Sequence, residues 1–319
     1  MQKTVDISVL VYYNKSTIEK WLKKENYFLG EKTMKKIITL MLSVVLAVVA
    51  VFAFTGCTPN KTKLVVYTEY ELTTESYAFA INKSNTDLKN SVNGILADLE
   101  ESGELANIIN SLFDGNATFT YTNPAAPTTA NRSSYFVVGT NAYFPPFEHY
   151  EGNKLSGIDM QIASIIADEL DKTLYIKDME FDALIPAVQN DQVDIAMAGM
   201  TVTATRLELV DFSTEYYTSA QVITVAEGDK TFEGCTSADD IVAVLATKGT
   251  DYKIGTQKGT TGYMYSAGDD DFGYDGFTNL TTKSYDTGAL AMQDLRNGKI
   301  NAVILDKQPS IMITTSMNK

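Results

Sequence analysis

From Tyr135 onward, short uncharged apolar runs alternate with segments whose apolar residues recur every three to four positions. No other feature constrains the fold as strongly. Parallel strands cannot be joined by tight hairpins and need a crossover, usually a helix. The alternation therefore predicts an α/β fold with mostly parallel sheets. Residues 135–139 (YFVVG) read as a buried strand, and Ile158, Ile162, Ile165, Ile166 and Leu170 share one helical face. A strand over 174–176, a helix over 182–189 and a strand over 193–198 follow, and Thr203 is placed to cap a short helix. A strand over 222–225 precedes the turn Glu227-Gly228-Asp229. A second α/β unit then begins. Ser237 is placed to cap a helix through Thr247, 252–256 is a strand, and Thr260 opens a helix. Residues 287–296 are helical with Gly298 in a C-cap position, 300–305 (INAVIL) is a strand, and Pro309 starts the last helix. Two such units predict two lobes.

Composition sets limits on partners. With 319 residues the chain is long enough for two cores. A formal charge of −14 argues against nucleic acid, because phosphate repels an acidic surface. Two cysteines, Cys57 and Cys235, and a single histidine leave little for a Cys/His metal site, and no metal or cofactor is expected. A disulfide between the two cysteines is conceivable, but Cys57 has a better explanation. Residues 269–271 are three aspartates in a Gly-rich stretch, read as a solvated loop.

The amino terminus reads as a signal. Residues 37–54 (IITLMLSVVLAVVAVFAF) carry no charge and follow Lys35 and Lys36. A short transmembrane helix is one reading, and a signal-peptide core fits better. The run ends in Thr55-Gly56-Cys57, which resembles a bacterial lipobox, although Phe54 is bulkier than the residue usual there. That resemblance implies cleavage before Cys57 and a lipid on its sulfur. It gives a signal peptide over 34–56, a tether over 57–63 and a translated leader over 1–33 before a start at Met34. Removing 1–56 would leave 18 basic against 36 acidic side chains.

Four separated blocks carry a family resemblance: GTNAYFPPFE (139–148), GIDMQ (157–161), DMEFDALIPAV (178–188) and VDIAMAGMTVTATRLELVDFS (193–213). In order and spacing they resemble the family 3 extracellular solute-binding proteins of polar amino acid importers. The resemblance continues at QKGTTG (257–262) and NAVILD (301–306). It implies a hinged two-lobe periplasmic-binding-protein-like fold of type II. The implied role is the substrate-binding component of an amino acid ABC importer. Such a protein is a monomer at the extracellular face of the cell membrane, with a free polar amino acid and the importer's permease subunits as partners.

Family members continue beyond the equivalent of Asp306 for longer than this chain does. Residues 64–113 resemble that continuation. Within them, Ser84 is placed to cap a helix whose Leu88, Val92, Ile95, Leu96 and Leu99 share a face, and Gly103 separates a second helix over 104–113. The expectation is a circular permutation, with 114–134 as linker. Lobe 1 would hold 77–113 and 135–223, lobe 2 would hold 64–76 and 228–319, and the crossovers would lie near 74–78 and 223–228.

A free amino acid carries a carboxylate and an ammonium on one carbon, and burying either unpaired costs several kcal/mol. Arg206 can hold a carboxylate with its planar fork. Asp306, at the end of an apolar strand, can hold an ammonium, or else cap the last helix. The resemblance adds the Gly199 carbonyl and the Thr201 hydroxyl for the ammonium, and Thr261 as a donor to the carboxylate. It also adds Phe144 and Phe181 as rings over the ligand side chain. Asn141 stands where relatives often have aspartate, and Gln257 where relatives vary with ligand. Glu148 and Tyr143 are weaker candidates. The rival readings are an enzyme on the same fold, such as a cyclohexadienyl dehydratase, and a sensory binding module. The enzyme needs a placed acid or base, and His149 sits in an expected loop with no nucleophile–base pair evident.

Overall fold

The computed structural model describes residues 62–114, 119–270 and 273–319. The expected leader, signal segment and lipidation site Cys57 lie outside the described residues. Among the described residues no helix is long and apolar enough to cross a membrane.

Residues 62–319 form one unit with two five-stranded sheets. In the first, β4 (Tyr135–Thr140) lies between β8 (Thr173–Asp178) and β9 (Ile195–Ala196), parallel to both. β3 (Ala80–Ile81) joins β9 antiparallel, and β10 (Asp211–Phe212) closes that edge. The second sheet repeats the plan. β13 (Lys253–Gln257) lies parallel between β14 (Thr281–Tyr285) and β15 (Ala302–Asp306). β12 (Gln221–Ala226) joins β15 antiparallel, and β1 (Leu64–Val66) pairs β12 antiparallel at the edge. Each sheet is thus a parallel core of three strands with an antiparallel pair. β4 and β15 are buried almost throughout, which accounts for their unbroken apolar runs.

Residues 64–113 thread through both sheets. After β1 the chain forms β2 (Glu75–Tyr77), which pairs antiparallel with β11 (Tyr217–Ser219). It then enters the first lobe at β3. Two helices follow, α1 (Thr86–Glu101) and α2 (Glu104–Phe113). Val92, Leu96, Leu99, Leu105, Ile108 and Leu112 share a core cluster with Phe136, Val138, Ile158, Ile162 and Ile166. At about 1.5–3 kcal/mol for each fully buried side chain of this size, those six contribute on the order of 10 kcal/mol to the first lobe. Gly103, in the left-handed region at φ +77°, makes the turn between α1 and α2. The cap of α1 is Asn85, which accepts from the Leu88 N–H; Ser84 instead donates its hydroxyl to Asn82.

The β2/β11 pair carries the chain between lobes twice. The second crossover therefore lies at 217–219, ahead of the expected 223–228. Gln221–Ala226 is an integral strand of the second lobe's sheet, so the first lobe ends near Ser219, not at 223.

Of the expected linker 114–134, residues 119–134 run as a strap along the first lobe. Asn123 holds the Ile176 backbone through both its carbonyl and amide, the Tyr121 hydroxyl donates to the Leu174 carbonyl, and Tyr121 bridges Leu155. The segment lacks large aliphatics because side-chain amide and hydroxyl groups attach it.

The remaining helices cover the sheets: α3 (Ile158–Glu169), α4 (Leu184–Gln189), α5 (Ala204–Leu209), α6 (Ala238–Ala246), α7 (Thr261–Ala267), α8 (Gly288–Arg296) and α9 (Lys307–Asn318). Thr203 and Ser237 cap α5 and α6 through their hydroxyls. α9 begins at Lys307, two residues before Pro309, because proline fits a first helical turn whose N–H groups have no intrahelical partner. The strand expected over 193–198 shrinks to β9, since the chain turns away at Met197 to build the cleft described next. Asn318, at the end of α9, clasps the start of β1 by accepting from the Leu64 N–H and donating to its carbonyl.

Candidate functional site

Both sheets aim the ends of their parallel strands at one narrow cleft. That position follows from parallel α/β architecture, where the carboxyl ends of strands leave a crevice. Asn141 follows β4, Gln257 ends β13, and Asp306 ends β15. All nine residues singled out in the sequence line the cavity: Asn141, Phe144, Phe181, Gly199, Thr201, Arg206, Gln257, Thr261 and Asp306. Glu148, Ala198 and Thr260 line it as well. Tyr143 is half exposed, outside the lining. His149 lies in the strand β6 (Glu148–Glu151), which pairs with β5 (Tyr143–Phe144) and β7 (Lys154–Ser156), and not in a loop; burial lowers its pKa and Glu151 lies 3.6 Å away.

The loop from Met197 to Thr203 shapes one wall. Gly199 has φ +51°, and a Cβ there would come within 2.8 Å of the Phe144 ring. Only glycine lets the backbone approach that ring. Asp159, in the first turn of α3, fixes this loop by accepting the Gly199 N–H at 2.9 Å and the Tyr216 hydroxyl at 2.6 Å. The GIDMQ block is therefore a buttress of the cavity. Burial raises the Asp159 pKa to about 7, and the two donors work against that rise.

Arg206 is buried under this loop. Its guanidinium donates to the Thr201 carbonyl at 2.6 Å and to the Gly259 carbonyl of the other lobe at 3.0 Å, and it lies 5.4 Å from the centre of the Phe181 ring. Burial lowers its pKa to about 10, with Glu75 and Asp306 opposing. No carboxylate among the described residues pairs with it directly, which leaves a buried cation fit for an incoming anion.

Asp306 lies on the opposite lobe. It occupies the N-cap position of α9 without bonding that helix, so its carboxylate serves the cavity. It accepts from the Tyr77 hydroxyl and, at 3.5 Å, from Ser219. Burial, and then the neighbouring Glu75, raise its pKa to about 7.

The Thr261 hydroxyl, expected to face a carboxylate, donates instead to Glu75 at 2.7 Å. Thr260 sits at the cap of α7, but its hydroxyl donates to the Gln257 carbonyl. The Gln257 side-chain amide donates to the Asn141 side chain across the cleft at 3.0 Å, while the side-chain oxygen of Gln257 has no partner.

Two acidic residues matter more here than their sequence context indicated. Glu148 is fully buried with Asp159 as its neighbouring carboxyl, and burial followed by Asp159 pushes its pKa well above the carboxylate range. An acid placed directly after an apolar PPF block was its signal. Glu75 lies in the polar run LTTES, which marks nothing by itself. Only the fold brings it beside Thr201 and Thr261. Among the described residues every buried charged side chain belongs to this cleft: Glu75, Glu148, Asp159 and Asp306, against Arg206.

Comparison with known proteins places this geometry in context. The model of the bacterial extracellular solute-binding proteins, family 3, matches residues 136–305. A putative ABC transporter arginine-binding protein 2 of Escherichia coli is 33% identical over 168 residues, covering 52% of this chain and 61% of that one. An arginine-binding extracellular protein of Bacillus subtilis is 39% identical over 87 residues, covering 27% and 34%. A probable histidine-binding protein of Neisseria gonorrhoeae is 29% identical over 186 residues, covering 57% and 62%. The chain thus spans less than two thirds of the length of these relatives.

Proposed function

The chain belongs to the bacterial extracellular solute-binding proteins, family 3, and on that premise we propose that it captures a free cationic amino acid for an ABC importer. The observation that carries the reading is Arg206, a buried guanidinium without a carboxylate, facing Asp306 across a cavity between two lobes. The ligand's carboxylate docks on Arg206. Its ammonium meets Asp306, the Gly199 carbonyl and the Thr201 hydroxyl. Phe144 and Phe181 flank the side chain, with Asn141 and Gln257 as polar contacts. Aromatic faces suit both an aliphatic stem and a cation.

The buried side chains of the cleft favour a cationic ligand. Four carboxyls stand against one guanidinium, and burial raises the pKa of Glu148, Asp159 and Asp306, so each ionises more readily once a cation is beside it. An arginine-like ligand brings one further positive charge, and Glu148 in the cavity wall is the carboxyl that it would ionise. Relatives named for arginine and histidine agree with that class. Micromolar affinity needs about −8 kcal/mol, which a few charge-assisted hydrogen bonds supply net of ordering costs.

Capture proceeds by closure about the β2/β11 pair. Ligand docks on Arg206 and Thr201, and the second lobe then brings Thr261 and Asp306. The order of elements is that of a circular permutation, with 64–113 in the place of the family's carboxy-terminal segment. The pairing of β1 with β12, the entry of β3 into the first sheet and the Asn318–Leu64 clasp support it. In this reading a lipid on Cys57 anchors the protein at the extracellular face of the membrane, through the second lobe.

Calorimetry with L-arginine tests the assignment. Arg206→Ala is expected to abolish binding while the far-UV spectrum stays that of the folded protein. Wild-type affinity in a folded Arg206→Ala variant overturns it.

A further inference from the structure

We propose that Glu75, a residue of the hinge strand β2, sets the hydrogen-bond polarity of the ligand site and thereby selects an α-ammonium over an α-hydroxyl. The inference rests on reading the cleft as an amino acid site. It adds a residue that touches the ligand only through others.

The argument is an inventory of hydroxyl protons. Glu75 is 4% exposed, with donors on both of its oxygens. One oxygen accepts the Thr73 hydroxyl at 2.8 Å. The other accepts the Thr201 hydroxyl at 2.8 Å and the Thr261 hydroxyl at 2.7 Å, with the Gln221 amide at 3.4 Å. A threonine hydroxyl has one proton and two lone pairs. With both protons committed to Glu75, Thr201 and Thr261 offer the cavity lone pairs only. Gln221 fills one lone pair of Thr261 at 3.1 Å, so one remains there and two remain on Thr201. Neither hydroxyl is free to donate to a carboxylate.

The consequence is a divided site. Thr201, Thr261 and Asp306 all present acceptors, and Arg206 presents donors. An ammonium has three donors and no acceptor, so it matches the first group. An α-hydroxyl brings one proton and leaves acceptors facing acceptors. Glu75 also reaches a threonine of each lobe from the strand that joins them. The polarity is therefore complete only when the lobes are together.

Two ligands and two substitutions separate this role from a structural one. The probes are L-arginine and argininic acid, its α-hydroxy analogue, measured by calorimetry at one pH. In the wild type arginine binds more tightly. Glu75→Gln keeps the shape but supplies N–H groups, freeing a hydroxyl proton to face the ligand. The ratio of the two dissociation constants is expected to fall by about tenfold or more, with the analogue gaining relative to arginine. An unchanged ratio in Glu75→Gln overturns the proposal and leaves the amino acid reading standing. Thr261→Val provides a second route should Glu75→Gln fail to fold. Loss of an acceptor weakens arginine more than the analogue, whereas loss of a carboxylate donor weakens both equally and overturns the proposal. Absence of binding by every common amino acid in the wild type overturns the functional reading and this inference with it.

Discussion

Acidification is the perturbation that tests the cleft most directly. Asp306 sits fully buried against Glu75 and Tyr77 of β2, with Arg206 nearby, and its pKa is raised from 3.8 to about 7. An ammonium is held well only by the ionised carboxylate. Two pH units below its pKa, roughly 1% of Asp306 is ionised, because each unit is a factor of ten. Arginine binding must then expel the proton. The dissociation constant is expected to be on the order of 100-fold larger at pH 5 than at pH 8. Calorimetry in buffers of different ionisation enthalpy counts the released proton, close to one per ligand at pH 5.5. The ligand-free protein moves the opposite way. Asp306 stays protonated in the folded chain up to about pH 7, while the unfolded chain releases that proton near 3.8. The folded state holds more protons in that window, so stability is greatest at its acid end and falls as pH rises through 7, by roughly 4 kcal/mol at most. Asp306→Asn flattens the dependence of affinity and lessens that of stability, where Asp159, also raised to about 7, still contributes. A wild-type affinity that varies less than twofold from pH 5 to pH 8 refutes the reasoning.

Other expectations follow from single contacts. Glu148→Gln removes a buried acid that burial and Asp159 keep from ionising, so thermal stability holds or rises while arginine affinity drops about tenfold or more, read by differential scanning fluorimetry and calorimetry. Gly199→Ala forces a Cβ against the Phe144 ring at φ +51°, at a cost of about 1–3 kcal/mol, and is expected to lower the melting temperature and close the cavity to ligand. Leu96→Ala empties a buried position of α1 and costs about 2–5 kcal/mol of the cooperative transition in urea. An unchanged midpoint there would mean that 86–113 is an appendage.

Local pattern was enough for part of this protein. An uncharged run such as YFVVG has to be buried on both faces, and Ile158, Ile162 and Ile166 have to share one helical face, so β4 and α3 were legible from spacing. Thr203 and Ser237 were legible as caps because one side-chain oxygen satisfies a local N–H. Asp306 stood out at the end of an apolar strand, and Arg206 for its planar fork within a block that resembles a known family. What the sequence could not fix was anything depending on distant segments meeting. Gln221–Ala226 looks like one strand whichever lobe it joins, and only its pairing with β1 and β15 moved the crossover to 217–219. Asn123 and Tyr121 read as linker until the edge of β8 gave them backbone groups to hold. Glu75 is 126 residues from Thr201 and 186 from Thr261. Its role exists only where the hinge strand passes between two lobes, because a hydroxyl's polarity is set by whichever neighbour takes its proton.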